Sequence, residues 1–464
     1  MNAQCSDLDA TAVLSAFEAG EATARSVMDA ALACIEADAS QVNSVIRLNP
    51  SATREADDVD RRRRAGERLP PLAGLPITIK DAFDVEGMIS GHGCVDEEHL
   101  AVADAPSVLS LRKSGAIIVG KTNVPTRLAD WQSSSPHFGH SRNPWDPGRT
   151  SGGSSSGAAA VACGQSYVDL GSDMSGSVRV PASWCGTYAL RPSHGIISKR
   201  GHLPWPPELR LEPPASTVGL TTRSARDLSI VFEALAGDAR GTGHLATRAQ
   251  APETSPATLR FGVWLPTAWP QLSGTVRAVI EAFVDRVTAS GYPVRPVEPP
   301  RSTSAEVGLY QRLTAAEIAH GGGDTTPTEP LLALLEDQAD VAARWDHEIF
   351  GQVDILIAPA TPIVAPHLSD VPQSQRSIDL DGVARPASEL LTWSVITSVA
   401  QCPSVVVPAG PESVTGLPVG VQLMARRGHD RTAMSAAIAL EDLGVTRFAA
   451  PPTYTQLLPT RSPA

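Results

Sequence analysis

The sequence predicts an α/β protein whose central β-sheet is covered by helices on both faces. Short apolar runs bounded by turn residues, the pattern of buried strands, recur from Gly74 onward. Helical stretches lie between these runs, and alternation of strands with helices is typical of α/β architectures. Apolar residues make up 42% of the 464-residue chain and charged residues 19%, which suits a globular protein with a sizeable core.

The elements follow in chain order. Residues 7–37 are predicted to form two amphipathic helices separated at Gly20. The four arginines at 61–64 follow several acidic residues, which indicates a solvated, salt-bridged helix face rather than a basic recognition patch. The predicted buried strands are 75–79, 116–119, 167–170, 353–358 and 405–407. The predicted helices are 158–162 within a longer helix, 226–235, 276–289 and 432–443. Two proline-rich stretches, 203–214 and 296–330, are expected to be surface loops or a variable cap.

Composition excludes several classes of function. The formal net charge of -12 argues against a protein that coats nucleic acid or an anionic membrane. No stretch approaches the roughly 20 apolar residues of a membrane helix, and the N-terminus lacks the pattern of a secretory signal. The six cysteines include no CxxC pair, so reduced thiols are expected rather than disulfides or a zinc site. A cytoplasmic location is the resulting expectation.

Two short motifs suggest other chemistries. Residues 115–122 match the phosphate-loop pattern GxxxxGK[ST], but their middle residues, Ala-Ile-Ile-Val, indicate a strand instead of an open loop. Residues 153–157 match GxSxG, which would make Ser155 the nucleophile of an α/β-hydrolase. The segment before Ser155 is loop-like, whereas a nucleophile elbow follows a strand directly, so this alternative is the weaker one.

Three other segments carry a more specific signal. The first, 74–81, is a buried strand ending in Lys80, in a chain that contains only four lysines. The second, 150–157, is a loop of glycines and serines before an alanine-rich helix, where small side chains let backbone amides crowd around a ligand. The third, 170–182, is predicted as a strand, a Gly/Ser turn containing Ser177, and another short extended segment.

The order and spacing of these segments resemble the amidase signature family. Its GxPxxxKD strand, GGSS(S/G)G loop and D-x-G-G-S-x-R-x-P-A segment correspond to 74–81, 152–157 and 173–182. The GKTN sequence at 120–123 and the segments 354–362 and 416–424 resemble further strands of the family. The resemblance implies one domain with a mixed central sheet over residues 1–464. Its parts would be N-terminal helices 7–65, a signature core 70–235, a variable cap 240–350, and a C-terminal sheet and helix 351–464.

The resemblance makes Lys80 the base, Ser154 the bridging cis-serine and Ser177 the nucleophile that forms an acyl-enzyme. A serine hydroxyl is a poor nucleophile until a neighbour takes its proton, and the three segments contain no histidine to do so. A lysine base must be neutral, so burial would have to lower its pKa to roughly 8. The resemblance implies an oxyanion hole formed by the backbone N–H groups of Met174, Ser175, Gly176 and Ser177.

The predicted reaction is hydrolysis of a small-molecule amide to an acid plus ammonia or an amine, with no metal or organic cofactor. A second hypothesis uses the same triad for amide-bond formation or acyl transfer. The two tryptophans indicate a partly apolar acyl pocket. The residues expected to line the substrate site are Trp131, Gly153, Ser155 and Trp205. Family members are often dimers, so a homodimer is one expected assembly, and the sequence leaves the oligomeric state open.

Three positions depart from the family pattern. Ser175 occupies a position that is usually glycine, so an altered oxyanion turn is expected. The stretch between the serine loop and Ser177 is one residue shorter than usual, which leaves open whether Ser154 or Ser155 relays the proton. Ser216 occupies a position that often carries an aspartate, so local anchoring is expected to differ.

Overall fold

The computed structural model describes residues 8–38, 40–205, 211–236, 255–267, 270–300, 303–321 and 331–452. The α-helices of these residues are α1 (Ala10–Glu18), α2 (Ala24–Asp38), α3 (Ala52–Arg64), α4 (Pro106–Lys113), α5 (Gly157–Ala162), α6 (Arg179–Cys185), α7 (Ala225–Ala236), α8 (Gly274–Ala289), α9 (Thr303–Gly321), α10 (Leu331–Arg344), α11 (Val395–Val399) and α12 (Asp430–Asp442).

The strands of the same residues are β1 (Val45–Leu48), β2 (Pro76–Lys80), β3 (Ile89–Ser90), β4 (His99–Leu100), β5 (Ile117–Thr122), β6 (Ser134–Ser135), β7 (Gly139–His140), β8 (Val168–Asp173), β9 (Tyr188–Arg191), β10 (Thr217–Thr222), β11 (Phe261–Val263), β12 (Val294–Pro296), β13 (Ile355–Pro359), β14 (Ser377–Leu380), β15 (Val383–Pro386), β16 (Ser404–Pro411) and β17 (Pro418–Met424).

One large mixed sheet organises the molecule. Its 11 strands have the order β1-β5-β2-β8-β10-β9-β16-β17-β13-β11-β12. Strand β2 is parallel to both β5 and β8, whereas the pairs from β8 through β10, β9, β16 and β17 to β13 are antiparallel. Every residue of β2, β5 and β8 is buried, so both faces of the sheet are covered. The predicted α/β fold with a mixed sheet is confirmed.

Most of the predicted elements are confirmed, with ends that shift by a few residues. Helices α1 and α2 lie on either side of Gly20, whose φ of +72° is left-handed. The arginines of α3 form the expected solvated face, where Arg62 pairs with Glu67 and Arg63 with Asp60. The predicted strands correspond to β2, β5, β8, β13 and β16, and three of the predicted helices correspond to α7, α8 and α12.

Two local predictions are wrong around the serine segments. The alanine-rich helix α5 has only six residues and no longer helix surrounds it, because the chain turns at Gly164 with a φ of +76°. The extended segment expected after Ser177 is instead helix α6. The Asp173 carboxylate accepts hydrogen bonds from the N–H groups of Val178 and Arg179, at 3.2 and 3.3 Å, and so supplies the acceptor that a helix N-terminus needs.

The stretch 296–330 is not a loop throughout, since residues 303–321 form helix α9. Buried Leu309 and Leu313 pack this helix into the main core. The glycine run at 321–323 lies outside the described residues apart from its first position. Residues 240–350, expected as a cap, also contribute β11 and β12 to the sheet, where β11 pairs in parallel with β13. This part of the chain therefore extends the same sheet.

Tight packing places the serine loop over the sheet. A Cβ on Gly157, the first residue of α5, would lie 1.9 Å from Asp169 Cγ on β8. Only glycine permits that approach, so α5 and the loop before it lie directly against the strand that leads to Ser177. Among the described residues, no helix is both long enough and apolar enough to cross a membrane.

Candidate active site

The site is built at the ends of two parallel neighbours in the sheet. Strand β2 ends at Lys80, and β8 ends at Asp173 just before the turn that carries Ser177. Because parallel strands end at the same edge of a sheet, the lysine and the turn lie close together. The Lys80 side chain is completely buried. Its Nζ contacts Ser154 Oγ at 2.8 Å, Ser172 Oγ at 3.1 Å and the Ser172 carbonyl oxygen at 3.5 Å.

Ser154 lies between the lysine and the second serine. Its Oγ lies within hydrogen-bonding distance of both groups, 2.8 Å from Lys80 Nζ and 3.0 Å from Ser177 Oγ. The peptide bond between Gly153 and Ser154 is cis. A Cβ on Gly153 would lie 2.6 Å from the Asp130 carbonyl oxygen, so the loop fits here only with glycine. The structure thus links Lys80, Ser154 and Ser177 by consecutive hydrogen bonds.

Ser155, the alternative relay residue, lies elsewhere. Its side chain is buried, and within the described residues its Oγ has no hydrogen-bond partner. The hydroxyl packs against Gly171, where an added Cβ would be 3.0 Å from it. No strand runs directly into the 153–157 loop, so the structural setting of a nucleophile elbow is absent from this described segment.

A buried ion pair holds the turn that follows β8. The Asp173 carboxylate accepts from Arg179 Nε at 2.9 Å, Arg179 Nη2 at 2.8 Å and the Gly176 N–H at 2.8 Å. The desolvation of this carboxyl group is outweighed by the guanidinium groups of Arg179 and Arg191 and by these hydrogen bonds, which hold its pKa well below the usual range. Asp173 therefore remains ionised and fixes the turn from within.

The turn residues 174–177 are also held from the other side. The Ser175 carbonyl oxygen accepts from Ser394 Oγ at 2.7 Å and from Trp131 Nε1 at 3.3 Å. The Met174 carbonyl oxygen accepts from Ser398 Oγ at 2.6 Å. Of the four N–H groups that the resemblance assigns to an oxyanion hole, that of Gly176 is already bound to Asp173.

Burial is the main influence on the charge of Lys80. Its pKa is lowered from 10.5 to about 7, first by desolvation and then by the positive charge of Lys199. The carboxyl groups of Asp169 and Asp173 act in the opposite direction. A lysine with this pKa is substantially neutral near pH 7 and has a lone pair that can accept a proton.

A second group of polar residues lies behind Lys80. Ser172 Oγ is 2.8 Å from His202 Nε2. Lys199 Nζ donates to Ser216 Oγ at 2.6 Å, and Ser216 Oγ donates in turn to Glu317 Oε1. Glu317 comes from helix α9, so a distant carboxylate supplies the acidic group that the family pattern often places at position 216. The sequence motifs did not indicate Ser172, His202 or Glu317, although the rarity of lysine was a signal for Lys199.

The two predicted aromatic residues lie in different settings. Trp131 touches the turn through its bond to Ser175 and lines a cavity of about 240 Å³. The polar lining of that cavity includes Asp130 and Arg376, which form an ion pair at 2.6 Å. Trp205 is buried in the loop after His202 and its backbone N–H donates to the His202 carbonyl oxygen at 3.0 Å. The cavity beside Trp131 is therefore lined by both apolar and polar side chains.

The phosphate-loop pattern at 115–122 lies in β5 from its third residue, Ile117, onward, as its apolar middle predicted. Lys121 is buried and donates to the Phe83 carbonyl oxygen at 2.8 Å and to Ser90 Oγ at 3.1 Å. Its ammonium group also pairs with Asp81 at 3.3 Å. This lysine is therefore bound within the protein and does not project into an open phosphate-binding loop.

Potential metal ligands converge at one place among the described residues. Single ligand atoms of His92, Cys94 and Glu97 lie within 4.8 Å of one another. Glu97 is 3.0 Å from His92 Nε2 and also pairs with the guanidinium of Arg127. A cation thus already accompanies this carboxylate.

Comparison with known proteins identifies the class. An Amidase family model matches residues 26–327 and 324–434. The chain belongs to this family, and the resemblance to amidase signature enzymes is confirmed. Its relatives include both hydrolases and amidotransferases.

Two relatives and one solved structure illustrate the similarity. AtzE, the 1-carboxybiuret hydrolase subunit of Pseudomonas sp. (strain ADP), is 34% identical, over 94% of this chain and 98% of that protein. A glutamyl-tRNA(Gln) amidotransferase subunit of Deinococcus radiodurans is 31% identical, over 94% and 97%. An inhibitor-bound structure, described as a vestigial protein complex that reveals the origins of an s-triazine catabolic enzyme, has a TM-score of 0.83 and 28% identity. That match covers 95% of this chain and 100% of the other.

Proposed function

We propose that this protein is an amidase that hydrolyses a small-molecule carboxylic amide through an acyl-enzyme on Ser177. The observation that carries the proposal is the continuous hydrogen-bonded chain from Lys80 Nζ to Ser154 Oγ, at 2.8 Å, and on to Ser177 Oγ, at 3.0 Å. Such a chain lets Lys80 take a proton from Ser154 while Ser154 takes one from Ser177. The Ser177 oxygen then becomes nucleophilic as it attacks.

The steps follow from these roles. Ser177 Oγ bonds to the amide carbon, and the carbonyl oxygen gains negative charge beside the 174–177 turn. The N–H groups of Met174, Ser175 and Ser177 are the candidates to stabilise that oxygen, because the Gly176 N–H is bound to Asp173. The C–N bond then breaks, and the departing nitrogen receives the proton that Lys80 holds. Water attacks the acyl-enzyme and releases the acid and Ser177.

The burial of Lys80 supports its role as the base. A general base is most effective when its pKa lies near the working pH, and burial lowers the pKa of Lys80 to about 7. Trp131 lies against the turn at Ser175 and is the proposed wall of the acyl pocket. Ser154 rather than Ser155 is the proposed relay, because only Ser154 contacts both Lys80 and Ser177 among the described residues.

Acyl transfer is the second candidate, because the same hydrogen-bonded residues from Lys80 to Ser177 would support it. The same acyl-enzyme would react with an amine instead of water, and the acyl group would then leave as a new amide. Hydrolysis and transfer share every step up to the acyl-enzyme, so the triad is common to both.

Ammonia release from a panel of aliphatic and aryl amides tests the proposal. The wild type is expected to release ammonia and acid in equal amounts from at least one amide, while Ser177→Ala and Lys80→Ala release none. Ser155→Ala is the matched control and should retain activity. Added hydroxylamine traps the shared acyl-enzyme as a hydroxamate, and the ratio of hydroxamate to free acid separates the two candidates, because a transferase should form mainly hydroxamate and a hydrolase mainly acid. Normal hydrolysis by folded Ser177→Ala would refute the proposal.

A further inference from the structure

A second polar chain leads from Lys80 to a buried histidine that the proposed mechanism does not use. Lys80 Nζ is 3.1 Å from Ser172 Oγ, and Ser172 Oγ is 2.8 Å from His202 Nε2. All three side chains are buried. Among the described residues, the proposed base therefore has two hydroxyl neighbours, Ser154 and Ser172, and of these two Ser154 leads to Ser177.

The backbone fixes the histidine in place. His202 forms an antiparallel bridge with Phe83, and its ring meets the Phe83 ring edge-on at a centroid distance of 4.6 Å. The Leu203 N–H donates to the Ala82 carbonyl oxygen at 2.8 Å. Residues 82–83, which follow Lys80 closely along the chain, thus hold the segment that contains His202. The distance between the His202 ring and the Lys80 nitrogen is therefore fixed by the backbone.

Hydrogen-bond accounting shows why the second hydroxyl matters. A neutral lysine has two N–H bonds and one lone pair, and three oxygens from the described part of the chain lie within 3.5 Å of Lys80 Nζ. The Ser172 carbonyl oxygen can only accept, so it takes one N–H. The lone pair must then face either Ser154 or Ser172, and the proton of the chosen hydroxyl occupies it. Catalysis requires that the choice be Ser154.

From this geometry, and resting on the proposed function, we propose that His202 is a positioning residue for Lys80. Its unprotonated Nε2 accepts the Ser172 proton, so the Ser172 oxygen accepts the second Lys80 N–H. The Lys80 lone pair is then left to receive the proton of Ser154. Without His202, the Ser172 hydroxyl donates to Lys80 instead and competes with Ser154 for the lone pair.

The charges around the histidine keep it in the required state. Burial, and then the positive charges of Lys199, Lys80 and His92, lower the pKa of His202 well below its usual range. The ring is therefore neutral throughout the range in which Lys80 titrates. The other groups that act on Lys80 are Lys199, Asp169 and Asp173. His202 thus contributes an acceptor at a constant charge, and the pH response belongs to Lys80.

The test measures how fast a fluorophosphonate probe labels Ser177 between pH 5 and 10, in steps of about one unit across the titration of Lys80. We expect His202→Leu to lower the plateau rate about tenfold, as for one lost hydrogen bond. Its pH midpoint should also fall, because a hydroxyl that donates to the neutral amine disfavours the ammonium form. His202→Gln, whose amide oxygen can accept the Ser172 proton, should keep most of the rate. His202→Phe retains a ring against Phe83 and replaces the leucine variant if that variant does not fold.

A double-mutant cycle separates positioning from packing. In a Ser172→Ala background, His202→Leu should have little further effect, because the hydroxyl through which it acts is gone. His194→Leu is the matched control: it removes a histidine bound to the Pro213 carbonyl oxygen at 2.9 Å and should leave the profile unchanged. An unchanged profile for His202→Leu, or an equal loss in both backgrounds, would overturn this inference alone. Failure of the wild type to label at Ser177 would overturn the proposed function itself.

Discussion

The Lys80 nitrogen can be unprotonated near pH 7, although an ordinary lysine, with a pKa of 10.5, is protonated in water at that pH. Burial at the end of β2 removes the water that would stabilise the ammonium ion, so the pKa falls to about 7. The surrounding oxygens then determine where the lone pair points. The sequence motifs predicted Lys80, Ser154 and Ser177 as a group. They could not show which neighbouring hydroxyls face the lysine, because that depends on side-chain directions across β2 and β8.

The rate of Ser177 acylation should follow the neutral fraction of Lys80. The deprotonated lysine is the active form, so the rate should rise as pH rises through about 7 and level off above it. Below the midpoint, the rate should fall about tenfold per pH unit. Stopped-time labelling or hydrolysis across this range checks the expectation. A rate that begins to rise only near the ordinary lysine pKa would contradict it.

The two adjacent serines should differ sharply when each is replaced. Ser154→Ala interrupts the path from Lys80 to Ser177 and should reduce kcat/KM by about 10²–10⁴-fold, the usual contribution of a positioned proton-transfer group. Ser155→Ala removes a buried hydroxyl that has no partner among the described residues, so its kcat/KM should stay near that of the wild type. A larger loss for Ser155→Ala would assign the relay to that residue.

At the scale of elements, the unit that matters is β8, the turn and α6. Sequence patterns predicted the strand and the turn, but they misassigned α6 as extended because Val178, Val180 and Pro181 do not favour helices. The carboxylate of Asp173 overrides that local preference by binding the first N–H groups of the helix. The same carboxylate binds Gly176, so one buried charge shapes both the helix and the turn that carries Ser177.

Breaking this buried ion pair should cost far more than breaking an exposed one. Arg179→Leu leaves the Asp173 charge buried with Arg191, at 3.8 Å, as its remaining guanidinium partner among the described residues, and should lower the free energy of unfolding by about 3–5 kcal/mol. Arg260 and Asp354 form a similar two-pronged pair at the surface. Arg260→Leu should cost less than about 1 kcal/mol. Urea denaturation compares the two, and equal costs would show that the buried pair has no special role.

At the scale of the whole molecule, the part expected as a variable cap is continuous with the core. The loss of an aspartate at position 216 was visible in the sequence, whereas its replacement by Glu317 was not. Glu317 is 101 residues away along the chain and belongs to a stretch whose prolines and glycines suggested a loop. Only the tertiary arrangement of α9 brings that carboxylate to Ser216 and Lys199.

A continuous sheet predicts a single cooperative unfolding transition. Strands β11 and β12 extend the sheet, and Trp264 after β11 packs against Trp393 at a centroid distance of 4.8 Å. Tryptophan fluorescence and far-UV circular dichroism should therefore report coincident transitions in urea. An earlier transition by fluorescence would indicate that residues 240–350 unfold as a separate unit.

The central claim is that Ser177 forms the covalent intermediate, and mapping a fluorophosphonate adduct tests it most directly. Trypsin should release residues 150–179 as one peptide, because cleavage sites follow Arg149 and Arg179 and none lies between them. This peptide contains Ser154, Ser155 and Ser177, and fragmentation by tandem mass spectrometry distinguishes them. We expect an adduct on Ser177 in the wild type and none in Lys80→Met. An adduct on Ser155, or undiminished labelling of Ser177 in Lys80→Met, would contradict the claim.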